Sequence, residues 1–100
     1  MKERVYPFNI IEYNVEVDDN LASYNVSYTN EKGQIRKIEK VQGNWRKLIV
    51  VPNNQIPIHL STISLEKLNA PMEANIFVDG KLLQEDISKI GIVNLLSIKK

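Results

Sequence analysis

The sequence predicts an all-β domain, and three observations predict it. Isoleucine and valine fill 22 of the 100 positions while alanine fills three, a balance that suits pleated sheet better than helix. Apolar and polar residues alternate in one run after another, which is the period of a half-buried strand. Turn-forming residues punctuate these runs at a spacing of about ten residues, with no helix of two turns between them. An antiparallel sandwich or small barrel of about eight short strands follows. A chain this short holds one hydrophobic core, so residues 1–100 read as a single domain whose core lies roughly between residues 10 and 98.

A polar lead with Tyr6, Pro7 and Phe8 comes first. Ile11-Glu12-Tyr13-Asn14-Val15-Glu16-Val17 then alternates without error, placing Ile11, Tyr13, Val15 and Val17 on one face. Asp18-Asp19-Asn20 supplies short polar side chains that suit a tight turn. Ala22, Tyr24, Val26 and Tyr28 alternate with polar residues after it, so the two runs read as a hairpin. Thr29 to Gly33 is a turn by composition. Gln34 to Val41 is a highly charged strand with Ile35, Ile38 and Val41 as its apolar content, the character of a sheet edge.

Gln42-Gly43-Asn44 breaks the pattern before Trp45 to Val51, whose last four residues, Leu48-Ile49-Val50-Val51, are apolar on both faces. Such a run is expected to be covered on both sides. Pro52 ends it, Asn53 to Pro57 reads as a loop, and Ile58 to Leu65 returns to strand. Glu66 to Ala70 has room for one helical turn before Pro71. Met72, Ala74, Ile76 and Val78 alternate, then Asp79-Gly80 and Lys81 to Glu85 complete the clearest hairpin, with a two-residue type I′ turn whose central residues both need positive φ. Asp86 to Gly91 reads as a loop, and Ile92 to Ile98 closes the domain before a solvated Lys99-Lys100.

Thirteen basic and 12 acidic residues leave a net charge of +1, which provides no overall field for nucleic acid or an anionic membrane. The chain has no cysteine, which removes disulfides, thiolate nucleophiles and zinc-thiolate sites together. No apolar run approaches the roughly 18 residues of a membrane span, and the start has no signal-peptide pattern. Acid–base catalysis needs convergent titratable groups, and the single histidine, His59, stands mid-strand with no partner motif, as a histidine on a solvated face does. Asp18-Asp19-Asn20 lacks the spaced oxygen ligands of a calcium loop. No catalytic residue, metal or cofactor is therefore expected. Asn25-Val26-Ser27 fits the glycosylation triplet, a frequent chance match.

Arg36, Lys37, Lys40, Arg46 and Lys47 gather on the two middle strands. A phosphate-binding stripe is one reading; the favoured one is lysines that keep an edge from pairing indiscriminately, since Glu31 and Glu39 lie among them. Tyr13, Tyr24 and Tyr28 share the apolar faces of their strands and are core candidates. Trp45 is a core candidate too, with a ligand groove as its alternative.

Tyr13-Asn14-Val15, then ASYNVSYTN from Ala22 to Asn30, Gly33, Trp45 and finally Ile76-Phe77-Val78-Asp79-Gly80-Lys81 occur in an order that resembles the MmpS-like family. These are small bacterial extracytoplasmic domains, named for mycobacterial membrane proteins and similar to short lipoproteins and secreted proteins of gut bacteria. The resemblance spans Tyr13 to Ile98. It implies an immunoglobulin-like antiparallel β-sandwich of about seven or eight strands, fixed to or released from the outer face of a membrane and without catalytic residues. Mycobacterial members assist a large transporter. This chain lacks their cysteine pair, has Asn44 before the tryptophan where proline is usual, and carries no membrane anchor, so that role is not carried over.

The functional expectation is a non-enzymatic extracytoplasmic interaction or accessory module, the mature part of a small bacterial lipoprotein or secreted protein. Its partner is an unidentified cell-envelope protein, not nucleic acid, and it meets the membrane only through an anchor outside this chain. The charged strand from Gln34 to Val41, with Arg36, Lys37 and Lys40, is the candidate partner edge. The alternatives are a carbohydrate- or small-ligand-binding sandwich with Trp45 in its groove, and an enzyme using His59.

Overall fold

A computed structural model of the chain describes residues 8–18, 23–52, 56–65, 71–89 and 92–99. Among these, the strands are β1 (Phe8–Val17), β2 (Ser23–Thr29), β3 (Ile35–Gln42), β4 (Trp45–Pro52), β5 (Ile56–Ser64), β6 (Met72–Val78), β7 (Lys81–Ser88) and β8 (Ile92–Lys99). They form two four-stranded antiparallel sheets, ordered β4-β1-β6-β7 and β3-β2-β5-β8. The two sheets pack together as a β-sandwich.

Period-two alternation builds the layers. Ile11, Tyr13 and Val15 of β1, Ile49 and Val51 of β4, and Met72, Ala74 and Ile76 of β6 turn to one side of their sheet. Tyr24, Val26 and Tyr28 of β2, Ile58 and Leu60 of β5, and Val93 and Leu95 of β8 meet them from the other. Burying each of the Ile, Val, Leu and Met side chains contributes about 1.5 to 3 kcal/mol. Two of the three core tyrosines pair their hydroxyls with backbone carbonyls, as buried polar groups do. Tyr13 Oη donates to the Thr29 carbonyl at 2.8 Å and Tyr24 Oη to the Gly43 carbonyl at 2.5 Å. Burial holds the Tyr13 phenol far above its ordinary pKa of 10, with the nearby Tyr28 adding to the effect, and pushes Tyr24 up to about 12.

The β6–β7 connection is the expected one. Val78 pairs with Lys81 across a two-residue turn in which Asp79 has φ 51° and Gly80 φ 84°, the pair of positive angles that type I′ requires. The Asp79 carboxylate also accepts from the Ile10 amide at 2.9 Å and the Asn9 side chain at 2.5 Å, while its own amide donates to the Ile10 carbonyl. This turn is thereby tied to the first strand. A second polar device ends β2: Asn30 Oδ1 accepts from the Lys32 and Gln34 amides, both at 2.9 Å, around Gly33 at φ 78°.

Four expectations are corrected. The first two strands are not a hairpin, because β1 pairs with β4 and β6 while β2 pairs with β3 and β5 in the opposite sheet. Both strands present one apolar face, and crossing between sheets lets those faces pack on each other: the Tyr13 and Tyr28 rings lie 5.5 Å apart. A hairpin would have put both faces in one layer. Leu48 and Val50 are not covered; they are 51% and 54% exposed, while Ile49 and Val51 are buried. Asp86 to Ser88 are strand rather than loop, since Met72 pairs with Ser88. Pro57 is likewise in a strand, tolerated because β2 pairs with β5 only from Leu60 onward and leaves that flank without a ladder to break. The expected helical turn from Glu66 to Ala70 lies outside the described residues.

Candidate interaction surface

Each sheet ends in two edge strands, and the two sides of the sandwich differ. On one side β7 and β8 lie against each other, and Gln84 Nε2 donates to the Leu96 carbonyl at 3.0 Å. On the other side β3 and β4 scarcely touch. Their link at Gly43 and Asn44 is pinned from both sheets: Tyr24 donates to the Gly43 carbonyl, and Asn44 Oδ1 accepts from the Val17 amide at 2.9 Å.

The strand expected to be an edge, Gln34 to Val41, forms β3, which pairs only with β2 in the sheet order. Arg36, Lys37 and Lys40 are all exposed on it, but the fold does not gather them into one stripe. Arg36 stands opposite Tyr28, on the side of the sheet that carries the core, whereas Lys37 stands opposite Ser27 on the outer side. Lys40 sits where the ladder shifts register between Tyr24 and Val26, at φ 59°. Its amide donates to Asn25 Oδ1 at 3.1 Å, so the side chain of Asn25 fills a gap in the ladder. This is a β-bulge, and bulges twist an edge away from regular pairing.

β4 is the edge of the other sheet and has no such break. Its eight residues pair continuously with β1, from Trp45 opposite Val15 to Pro52 opposite Phe8. Arg46 faces outward beside Glu12, with Nη2 to Oε1 at 3.2 Å, and Asn14 also donates to Glu12. An exposed pair of this kind contributes about 0 to 1 kcal/mol. Past it, Leu48 and Val50 adjoin Ile10 of β1, which pairs with Val50 and is 45% exposed. Contiguous exposed apolar side chains on a sheet mark contact surfaces. Residue order alone does not single these out as a site, although the run Leu48 to Val51, apolar on both faces, is the signal that points to them.

Trp45 is half-buried, packed against the core with its ring 5.4 Å from Tyr28. One depression among the described residues, of ≈ 220 Å³ and lined by Glu16, Val17, Asp18, Asn44, Pro71, Met72, Glu73 and Ile87, does not include it, and that volume is below the roughly 300 Å³ of small ligand pockets. His59 lies between buried Ile58 and Leu60, turned to the outer side, with Nε2 3.1 Å from Ser61 Oγ. No group of three His, Cys, Asp or Glu side chains among the described residues is placed to hold a metal ion. No protein-family model matches the chain, and no curated protein matches it either.

Proposed function

We propose that the chain is a non-enzymatic interaction module of the bacterial cell envelope, an immunoglobulin-like sandwich that captures a segment of a cell-envelope partner. The observation that carries this reading is the β3 edge on the open side of the sandwich, which among the described residues pairs only with β2 and exposes Arg36, Lys37 and Lys40. A sheet edge offers unpaired amides and carbonyls to an extended segment, and neighbouring side chains set which segment fits. The basic residues of β3 suit an acidic one. The resemblance to MmpS-like domains supports the extracytoplasmic setting and an anchor outside this chain. The carbohydrate-binding alternative draws less support, because the Trp45 ring already packs on Tyr28.

The test is capture from envelope extracts of the source bacterium after chemical cross-linking. Reversing Arg36, Lys37 and Lys40 to glutamate should abolish recovery of the partner, while His59→Ala leaves it intact. If His59→Ala disables the protein and the charge reversals do nothing, the interaction-module reading fails.

A further inference from the structure

Four edges are open to pairing, and three of them are ill suited to a second copy of this chain. β3 carries a bulge at Lys40 and three exposed basic side chains, which suit an acidic segment but set like charges together in a second copy. β7 has a register shift between Ile76 and Phe77 that leaves Leu83 without an opposite residue, and β7 and β8 lie against each other. β8 is as long and regular as β4 and exposes Ile92 and Leu96, but β7 lies against it and Gln84 donates to its Leu96 carbonyl. β4 is the long, regular edge with an exposed apolar centre that scarcely touches the edge strand facing it, a combination that natural sheets ordinarily avoid unless it is used. We propose that β4 is a self-association strand, by which two copies of this chain pair antiparallel about a two-fold axis at Ile49.

The order of residues on β4 selects a second copy. In an antiparallel pair centred on Ile49, Leu48 of each copy stands opposite Val50 of the other on the outer face. Side chains directly opposite in this way are in contact. Four apolar side chains that are each about half exposed in the single chain thus meet, and Ile10 beside Val50 extends the patch on both copies. The two charged residues of β4 fall opposite uncharged ones, Lys47 against Val51 and Arg46 against Pro52. A register centred on Arg46 or Lys47 would set like charges face to face, which destabilises a pair. The register about Ile49 therefore joins the apolar centres of the two strands and keeps their basic ends apart. Isologous pairing of this kind is the usual route to a closed dimer, and it joins two four-stranded sheets into one of eight strands. It rests on β4 alone and is independent of partner capture by β3.

Sedimentation of the purified chain from micromolar to millimolar concentration should show a monomer–dimer equilibrium. Val50→Lys, at a position that is already exposed and so leaves the fold intact by circular dichroism, should raise the dissociation constant by about tenfold or more. Replacing Arg36, Lys37 and Lys40 with glutamate should leave it unchanged, which separates this inference from the partner-capture reading. The chain has no cysteine of its own, so an oxidised mixture of Leu48→Cys and Val50→Cys should form a disulfide-linked dimer, and either variant alone should form much less. A chain that stays monomeric throughout, a dimer indifferent to Val50→Lys, or equal cross-linking of the single variants would overturn the proposal. So would a β4 that binds only a strand of another protein.

Discussion

The two sides of the sandwich protect their edges by different means. Where β7 meets β8, backbone and side chain act together: the strands lie side by side, a glutamine reaches the facing carbonyl, and the tight Asp79-Gly80 turn fixes where β7 begins. Where β3 and β4 part, the interior is closed by aromatic side chains, Tyr28 against Tyr13 on one hand and Trp45 on the other. A side closed by strands needs no bulky plug, whereas an open side needs one, because otherwise water would reach the core between the sheets. The open side also leaves two edges, and only β3 is interrupted by a bulge, while β4 pairs without a break.

The sharpest test of this contrast is truncation of the plug. Tyr28→Ala should cost about 3 to 5 kcal/mol in denaturant unfolding, as removal of a buried aromatic does, with a red shift of Trp45 fluorescence as that ring loses its neighbour. A loss near that of an exposed side chain would mean that the aromatics are not what closes the open side.

Alkali attacks the same core. Tyr13 and Tyr24 are held protonated by burial, with folded pKa values raised above the unfolded value of 10. Stability from this source is complete below pH 10, where both states keep the proton, and falls as pH rises above 10, where only the unfolded chain releases it. Unfolding by alkali should therefore begin above pH 10, and tyrosinate absorbance from these two residues should appear together with loss of the β spectrum. Absorbance that rises fully before unfolding would show that their hydroxyls are not shielded.

On the closed side the effects should be smaller and of backbone origin. Gly80 has open space where a side chain would begin but φ of 84°, so Gly80→Val should cost about 1 to 3 kcal/mol through conformation alone, measured by thermal unfolding. Gln84→Ala, which removes the reach across to Leu96, should cost about 1 kcal/mol. If Gln84→Ala cost as much as Tyr28→Ala, the distinction between the two sides would fail. The smallest expected change is Arg46→Ala, within about 1 kcal/mol and shrinking with added salt, because its partnership with Glu12 is solvent-exposed.

Much of the candidate surface is legible from residue order. The charge on Gln34 to Val41 points to an edge, and β3 is one. The same reasoning does not tell that Arg36 and Lys37 belong to opposite sides of the sheet at that edge, because alternation separates neighbours but the faces are named only by the strand alongside. Nor does it tell that Leu48 and Val50 are exposed, since a doubly apolar strand looks alike whether its second face is buried or bare.

What the sequence determined by itself is local: where strands run, which residues share a face, and the Asp79-Gly80 turn. A period of two and the φ demands of a short turn are written into consecutive residues, so these need no distant partner to be specified. Tertiary structure decided the pairing of β1 with β4 and β6 instead of β2, the extension of β7 to Ser88, the bulge at Lys40, and which residues of the strand from Trp45 to Pro52 stay exposed. Each of those depends on residues far apart in the chain competing for the same hydrogen bonds and the same core, and only the assembled sandwich settles that competition.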